Sequence, residues 1–213
     1  MNQAPTEIRN EKLLTTVSKS LKSRHFDVYI AKNKEEALNI AMDLIPGDAT
    51  VGWGGSATVD QIGIKDALKE RQNPVIDRSL AKNPEQSRQM MKACLTCNTF
   101  LMSANAVSAD GVLVNIDGNG NRVAPLIFGP DSVIVFVGIN KLAPDVEGAL
   151  KRARFVAAPT NAQRFDINTP CKIGGTCANC KSPDSICCNV NFTRICRPKG
   201  RIKVILINED LGF

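Results

Sequence analysis

The residues best suited to chemistry are cysteines. Five of the chain's eight lie between positions 171 and 188, in the stretch CKIGGTCANCKSPDSICC. With a single histidine in 213 residues, a zinc or iron site here must be rich in thiolate ligands, as structural zinc and iron–sulfur sites are. A loop closed by disulfides and a set of small buried side chains are the alternatives. We favour a metal centre, either zinc or an iron–sulfur cluster. The predicted ligands are Cys171, Cys177, Cys180 and Cys187, with Cys188 and Cys196 in reserve.

A second candidate site is the glycine-rich stretch GWGGS, residues 52–56, which lies between a predicted strand and a predicted helix. Glycine lets the backbone approach a ligand closely, and a helix N-terminus offers free N–H groups to an anion. The stretch therefore predicts a phosphate or carboxylate site at the carboxyl edge of a sheet. A plain turn, in which the glycines only relieve crowding, is the alternative. The candidate ligand-binding residues are Gly52, Gly54, Gly55 and Ser56.

The same stretch also fits a permissive dinucleotide fingerprint, Gly52-x-Gly54-x-x-Ala57. Asp77 ends the next predicted strand, where an acid would reach a ribose hydroxyl. Patterns this short arise often by chance, so we keep dinucleotide binding as a minor interpretation.

Three further features receive structural interpretations. The run from Asp117 to Asn121 imitates the start of a calcium loop, but the positions that need Gly and Glu hold other residues. We predict a hairpin turn at 117–120 instead. Cys94 and Cys97 fall on one face of a predicted helix and are expected in the core. His25 has no nucleophile motif nearby and receives no role.

The elements that must position these residues follow from hydrophobic periodicity. Helices and strands alternate at first, and a strand-rich stretch with turns at 110–111 and 117–120 follows. We predict one α/β domain over residues 1–213 with a mixed sheet, a helical lead-in at 1–24 and a cysteine-rich segment at 171–196. The predicted helices are 7–24, 34–45, one after the glycine stretch, one from Pro84 and 143–154, with caps at Asn33, Ser56 or Thr58, and Asn83.

The composition is that of an ordinary globular protein, with 43% apolar and 23% charged residues. The net charge of +6 is spread along the chain without a block of five like charges, so a nucleic-acid tail is not expected. A basic balance suits anionic small molecules.

The N-terminus has no signal-type apolar region and no apolar run is long enough to span a membrane, so we expect a cytoplasmic protein.

Taken together, several segments make the chain resemble the LUD family, the lactate-utilisation domain. These are VGWGGSATVDQIGI, SADGVLVNIDGNGNRVAPLIFGP, VIVFVGINKLAPDVEGALKRAR, AAPTNAQRF and VILINEDLGF. The resemblance implies a Rossmann-like fold similar to the sugar-phosphate isomerase and CoA-transferase superfamily, with an antiparallel hairpin insertion. It also implies a role beside iron–sulfur partner proteins that oxidise L-lactate to pyruvate. An anion site at Gly54, Gly55 and Ser56 is implied too, with Asp110 and Asn140 at neighbouring strand ends.

Three functions remain open at this point. The first is a redox-associated protein that binds a small anionic metabolite and carries a thiolate metal centre. The second is a non-redox enzyme acting on a sugar phosphate, CoA ester or dinucleotide, for which Asp60 and Asp110 are the candidate acid–base groups. The third is a non-catalytic subunit, and self-association is left open. The sequence does not settle whether the protein is an enzyme.

Overall fold

The computed structural model describes residues 4–213, so the first three residues of the predicted lead-in lie outside the described residues. The lead-in contains helix α1, Pro5–Ser23, with proline at its start, where a missing N–H is harmless. Leu14, Val17 and Leu21, the residues predicted at helical spacing, form its buried stripe. The predicted first helix is therefore confirmed.

The remaining elements alternate much as the sequence predicts. The helices that follow α1 are α2 (Lys34–Leu44), α3 (Ala57–Ile62), α4 (Ile64–Glu70), α5 (Pro84–Ala93), α6 (Val123–Ile127), α7 (Val146–Arg152), α8 (Ala158–Ala162) and α9 (Pro170–Gly174). The strands are β1 (Asp27–Ala31), β2 (Val51–Trp53), β3 (Val75–Ile76), β4 (Thr99–Ser103), β5 (Ala106–Ser108), β6 (Leu113–Asp117), β7 (Ser132–Gly138), β8 (Leu142–Ala143), β9 (Asn189–Thr193) and β10 (Ile202–Ile207).

Six strands form a parallel sheet in the order β1-β10-β7-β4-β2-β3. Its central strands are mostly apolar and buried because both faces are covered, as is usual for parallel sheets. One face packs against α1, with Phe100 and Met102 of β4 in the contact. The opposite face packs against α2, α3 and α4, with Leu101 and Phe136 in the contact. The predicted Rossmann-like α/β fold is confirmed.

The strand-rich part of the chain forms a second, mixed sheet in the order β8-β5-β6-β9, in which β5–β6 and β6–β9 are antiparallel and β5–β8 is parallel, instead of extending the first. The β5–β6 hairpin turns at 110–111, as predicted. The hairpin turn predicted at 117–120 is wrong, because α6 follows β6 and β7 then joins the central sheet. The Asp117 carboxylate accepts the backbone N–H groups of Arg122 and Val123, at 2.9 and 3.2 Å, so this segment begins a helix.

The predicted helix caps are confirmed. Asn33 accepts from Glu36 N at 2.9 Å, Asn83 from Gln86 N at 2.8 Å, and Ser56 from Val59 N at 3.3 Å. Each cap satisfies an N–H that has no partner within its helix. The Ser56 cap fixes the point where the glycine stretch becomes α3. Within residues 4–213, no helix has the length and apolar character needed to cross a bilayer.

Candidate functional site

A cavity of about 360 Å³ opens at the carboxyl ends of β2 and β4, which are neighbours in the central sheet. The chain leaves β2 toward α3 on one face of the sheet, while β4 leads to the second sheet on the other face. Connections that diverge from adjacent parallel strands leave a crevice, and α/β proteins bind ligands there. Ser56 and Thr58 from the β2 side and Ser103 from the end of β4 line the cavity.

The charged groups around this cavity are mostly basic. Four basic side chains line it against one carboxylate, that of Asp117. They arrive from separate parts of the chain: Arg78 follows β3, Arg122 precedes α6, Lys141 follows β7 and Arg164 follows α8. We call this site the cationic pocket. Its charge and concave shape suit a small anion.

Two glycines of the predicted anion stretch make room for two of these arginines. A Cβ on Gly54 would collide with the Cγ of Arg122, and one on Gly55 would lie 2.8 Å from the Nη2 of Arg78. The aliphatic part of Arg122 and the guanidinium of Arg78 can therefore lie against the strand-to-helix turn because the residues there have no side chains. The stretch therefore helps to shape the cationic pocket, because its glycines leave room for two arginine side chains.

Gly52 has a different neighbour. A Cβ there would lie 2.9 Å from the Sγ of Cys94 and 3.3 Å from that of Cys97. Gly52 thus relieves crowding inside the core, the alternative that the sequence left open for the glycines. Cys94 and Cys97 are buried as predicted, at 4% and 2% exposure, and burial raises the pKa of Cys97 to about 12.

Lys141 lies at the base of the cationic pocket with only 3% of its surface exposed. Its Nζ donates to Thr58 Oγ1 at 2.8 Å and to Ser103 Oγ at 2.9 Å. Burial lowers the pKa of this amine to about 7, and the charges of Arg152 and Arg122 add to the effect. The amine is therefore balanced between its charged and neutral forms near neutral pH.

The Arg122 side chain is largely buried, with 16% of its surface exposed. Burial lowers its pKa, the Asp117 carboxylate 3.6 Å from Nε opposes that shift, and the charge of Arg78 adds to it. Its Nη2 also donates to the carbonyl of Ile116. The Asp117 carboxylate thus fixes Arg122 in place, whereas among residues 4–213 no ion pair involves Arg78, Lys141 or Arg164.

Two predicted site residues lie elsewhere. Asp110 sits on the β5–β6 turn and pairs with Arg24 at 2.7 Å. Asn140 binds the backbone near the C-terminus, accepting from Leu211 N at 3.2 Å and donating to Gly212 O at 3.3 Å. Neither lines the cationic pocket. Asn140 does, however, hold the C-terminal segment, and Phe213 of that segment lines the pocket.

The residues of the dinucleotide interpretation are occupied by other contacts. Asp77 accepts from the Ser79 backbone N–H and hydroxyl, and pairs with Lys69 at 3.1 Å. Trp53 is only 3% exposed and offers no free face for a base to stack on. Asp60, a candidate acid–base group, pairs with Lys65 at 2.5 Å.

A second cavity, of about 350 Å³, is lined by all four predicted metal ligands, Cys171, Cys177, Cys180 and Cys187. We call it the cysteine cavity. Burial is the main cause that raises the pKa of Cys187 to about 11, and the charges of Cys171, Cys177 and Cys180 contribute, so the four sulfurs lie within electrostatic range.

Local backbone geometry brings these sulfurs together. Cys171 lies on α9, which ends at Gly175 with φ +70°, and Asn179 between Cys177 and Cys180 adopts φ +50°. Such left-handed positions reverse the chain over a few residues. In residues 4–213, no three or more His, Cys, Asp or Glu side chains lie close enough together to bind a metal ion as they stand. The donor set fits a thiolate centre, and the loop would have to close around it.

The two reserve cysteines differ. Cys188 is exposed and contacts the carbonyl of Ser185. Cys196 is 1% exposed, and its sulfur contacts Pro198 O at 3.1 Å and Ile202 N at 3.3 Å. Cys196 therefore belongs to the core and lies outside the cysteine cavity.

The cationic pocket and the cysteine cavity are adjacent. Ile116 of β6 and Ile186, next to Cys187, line both of them. A Cβ on Gly118 would lie 3.3 Å from the Cα of Ile186, so the cysteine-rich segment packs closely on the turn after β6.

The sequence interpretation did not identify Arg78, Arg122, Lys141 or Arg164 as site residues. One signal was present for Lys141: it directly follows Asn140, which was selected because it ends a predicted strand. The arginines stand in turns and at helix ends far apart in the chain. Only the folded sheet brings them together.

Fold and site define this chain as a Rossmann-like α/β protein with a crevice at the carboxyl edge of its sheet that is lined mainly by basic side chains. The LUD domain model matches residues 14–207, and the chain belongs to that family, which is related to lactate utilisation. The fold is similar to a DUF162 family protein from Deinococcus radiodurans, with a TM-score of 0.55 at 12% identity over 93% of this chain and 98% of that one. Among curated proteins, no match is found.

Proposed function

We propose that this chain is a cytoplasmic, redox-associated component related to lactate utilisation. It binds a small organic anion in the cationic pocket and holds a thiolate-ligated metal or iron–sulfur centre in the cysteine cavity. The observation that carries the anion site is the excess of four basic side chains over one carboxylate around a single cavity.

Gathering like charges in a partly buried crevice is unfavourable unless an anion completes the site. The charges of Arg78 and Arg122 act on each other, and that of Arg122 acts on Lys141, so an anion bound here would offset repulsion at several groups together. Guanidiniums also bind carboxylates through paired N–H bonds. The volume of about 360 Å³ is that of a small-metabolite pocket.

The thiolate centre is supported by the convergence of Cys171, Cys177, Cys180 and Cys187 on one cavity. An iron–sulfur cluster would supply one-electron transfer, whereas zinc would only fix the cysteine-rich segment. The eight cysteines are free of disulfides, in keeping with a reducing compartment. With a cluster, the iron–sulfur partner proteins implied by the family resemblance would be its electron partners.

Calorimetric titration tests the anion site. L-lactate, pyruvate and inorganic phosphate are titrated into the purified protein and into Arg164→Gln, which removes a basic group at the mouth of the pocket. Arg9→Gln, which changes an exposed arginine on α1, is the matched control. We expect binding that weakens about tenfold in Arg164→Gln, as for a lost charge-assisted bond, and stays unchanged in the control. Equal affinity in all three proteins would overturn the anion site.

A second candidate function is a non-redox enzyme or binding protein for a phosphate-bearing metabolite, because guanidiniums also bind phosphate. Strong binding of inorganic phosphate with no binding of either carboxylate would favour it. Within this alternative a dinucleotide is disfavoured, since Trp53 is buried and Asp77 is engaged by Lys69.

A further inference from the structure

Lys141 has an environment that a charge-binding lysine does not need. No carboxylate lies within ion-pair distance of its Nζ in the described part of the chain; its nearest partners are the hydroxyls of Thr58 and Ser103. A carboxylate partner would hold the amine in its charged form. A hydroxyl can accept from an ammonium or donate to a neutral amine, so this pair holds the nitrogen in place in either state.

The amine is also directed by rigid elements. Lys141 follows β7, Ser103 ends β4, and these strands pair in parallel through Met102 and Val135. Thr58 lies on α3, which begins at the Ser56 cap. A lysine held at the base of a concave site with little water around it is the usual setting of an amine nucleophile.

We propose that Lys141 is the nucleophile of the cationic pocket and forms a reversible imine with the carbonyl carbon of a small 2-oxo acid. This rests on the proposed function, because the acid's carboxylate must be held by the arginines of the pocket. The carboxylate and the carbonyl of a 2-oxo acid are on adjacent carbons. Arg122 lines the same cavity as Lys141 and is therefore suited to hold one while Lys141 reacts with the other.

The step balances without an oxidant or reductant. The lone pair of neutral Nζ forms a C–N bond to the carbonyl carbon, and one of the two amine protons passes to the carbonyl oxygen. The second amine proton joins that oxygen as the C–O bond breaks and water leaves, and the nitrogen lone pair forms the C=N bond. Ser103 and Thr58 can carry these protons, since each is within hydrogen-bond distance of Nζ. Near neutral pH a large share of the amine is neutral, because its pKa is about 7.

Reductive trapping tests the proposal. The purified protein is incubated with pyruvate and sodium cyanoborohydride, which reduces an imine to a stable secondary amine, and is then analysed by intact mass and peptide mapping. We expect one adduct per chain, at Lys141. L-lactate, which has no carbonyl, should give none.

Lys141→Met should lose the adduct, and Lys151→Met, which changes an exposed lysine on α7, should keep it. Ser103→Ala should slow trapping several-fold at unchanged pyruvate affinity. If Lys141→Met fails to fold, peptide mapping of the unchanged protein still locates the adduct.

Adducts spread over surface lysines, or none at all, would overturn the proposal. Trapping of a ketose phosphate but not of pyruvate would overturn the 2-oxo acid class. The anion site itself stands or falls by calorimetry.

Discussion

The Nζ of Lys141 lies 2.9 Å from the Oγ of Ser103, although the two residues are 38 positions apart in the chain. The contact exists because β4 and β7 are neighbouring parallel strands that end at the same edge of the sheet. This edge is therefore where a buried amine, two hydroxyls and several guanidiniums meet.

The first prediction concerns stability and pH. Burial holds the pKa of Lys141 at about 7, below the ordinary 10.5, so between these values the unfolded chain binds more protons than the folded one. The free energy of unfolding therefore rises with pH over that range. Below pH 7 the amine is protonated in both states, so the full cost of burying its charge reduces stability there. We expect Lys141→Met to be more stable than the parent by on the order of a few kcal/mol at pH 6. The gap should narrow toward pH 10.

Urea unfolding at several pH values measures that difference. Lys151→Met, whose lysine is exposed, provides the comparison and should show no such trend. A parent protein that is more stable than Lys141→Met at pH 6 would contradict the buried-amine interpretation.

The second prediction separates the glycines of the pocket from ordinary glycines. In Gly54→Ala the new Cβ meets Arg122 and must displace its side chain. We expect anion affinity to fall about tenfold, a loss of ~1.4 kcal/mol. Gly47→Ala is the control because nothing lies within 4 Å of its added Cβ. Titration of both variants measures the effect, and an equal affinity for the two would count against the role of Gly54.

The third prediction concerns metal. Anaerobically purified protein should contain iron with acid-labile sulfide, or zinc, and Cys177→Ser with Cys180→Ser should lose it. Cys188→Ser should retain it, since that exposed thiol is a reserve outside the predicted set. Elemental analysis and the visible spectrum measure both. Full metal retention in the double variant would exclude this ligand assignment.

The fourth prediction concerns the core beneath β2. Gly52→Ala places a Cβ 2.9 Å from Cys94 Sγ, so we expect it to destabilise the fold by about 1–3 kcal/mol, as overpacking does. Cys94→Ala removes that sulfur and should recover part of the loss in the double variant. Thermal unfolding of the four proteins of this cycle gives the coupling energy. Additive effects would show that the two positions do not crowd each other.

The parts of this molecule that follow from local rules were predictable. Asn33, Ser56 and Asn83 cap helices because each carries an acceptor three residues before a free N–H. The cysteines selected as metal ligands converge because they are close in sequence, and a loop with Gly175 and Asn179 can bring them together.

The cationic pocket was predictable only in part. Its glycine stretch could be recognised in the sequence. Arg78 and Arg122 could not, because arginines in turns usually lie on the surface and nothing in the local sequence distinguishes these two from solvated charges. The error at 117–120 has a related cause. An Asp-Gly-Asn-Gly sequence is a hairpin signal, yet the Asp117 carboxylate there accepts from the N–H groups that begin α6.

Ile116 and Ile186 line both the cationic pocket and the cysteine cavity. A ligand in either cavity that holds Ile186 in one position also fixes a residue that lines the other cavity. By thermodynamic linkage, the factor by which a metal changes the affinity for an anion must equal the factor by which the anion changes the affinity for the metal. Two ligands that do not touch can in this way change each other's affinity through the two isoleucines that both cavities share.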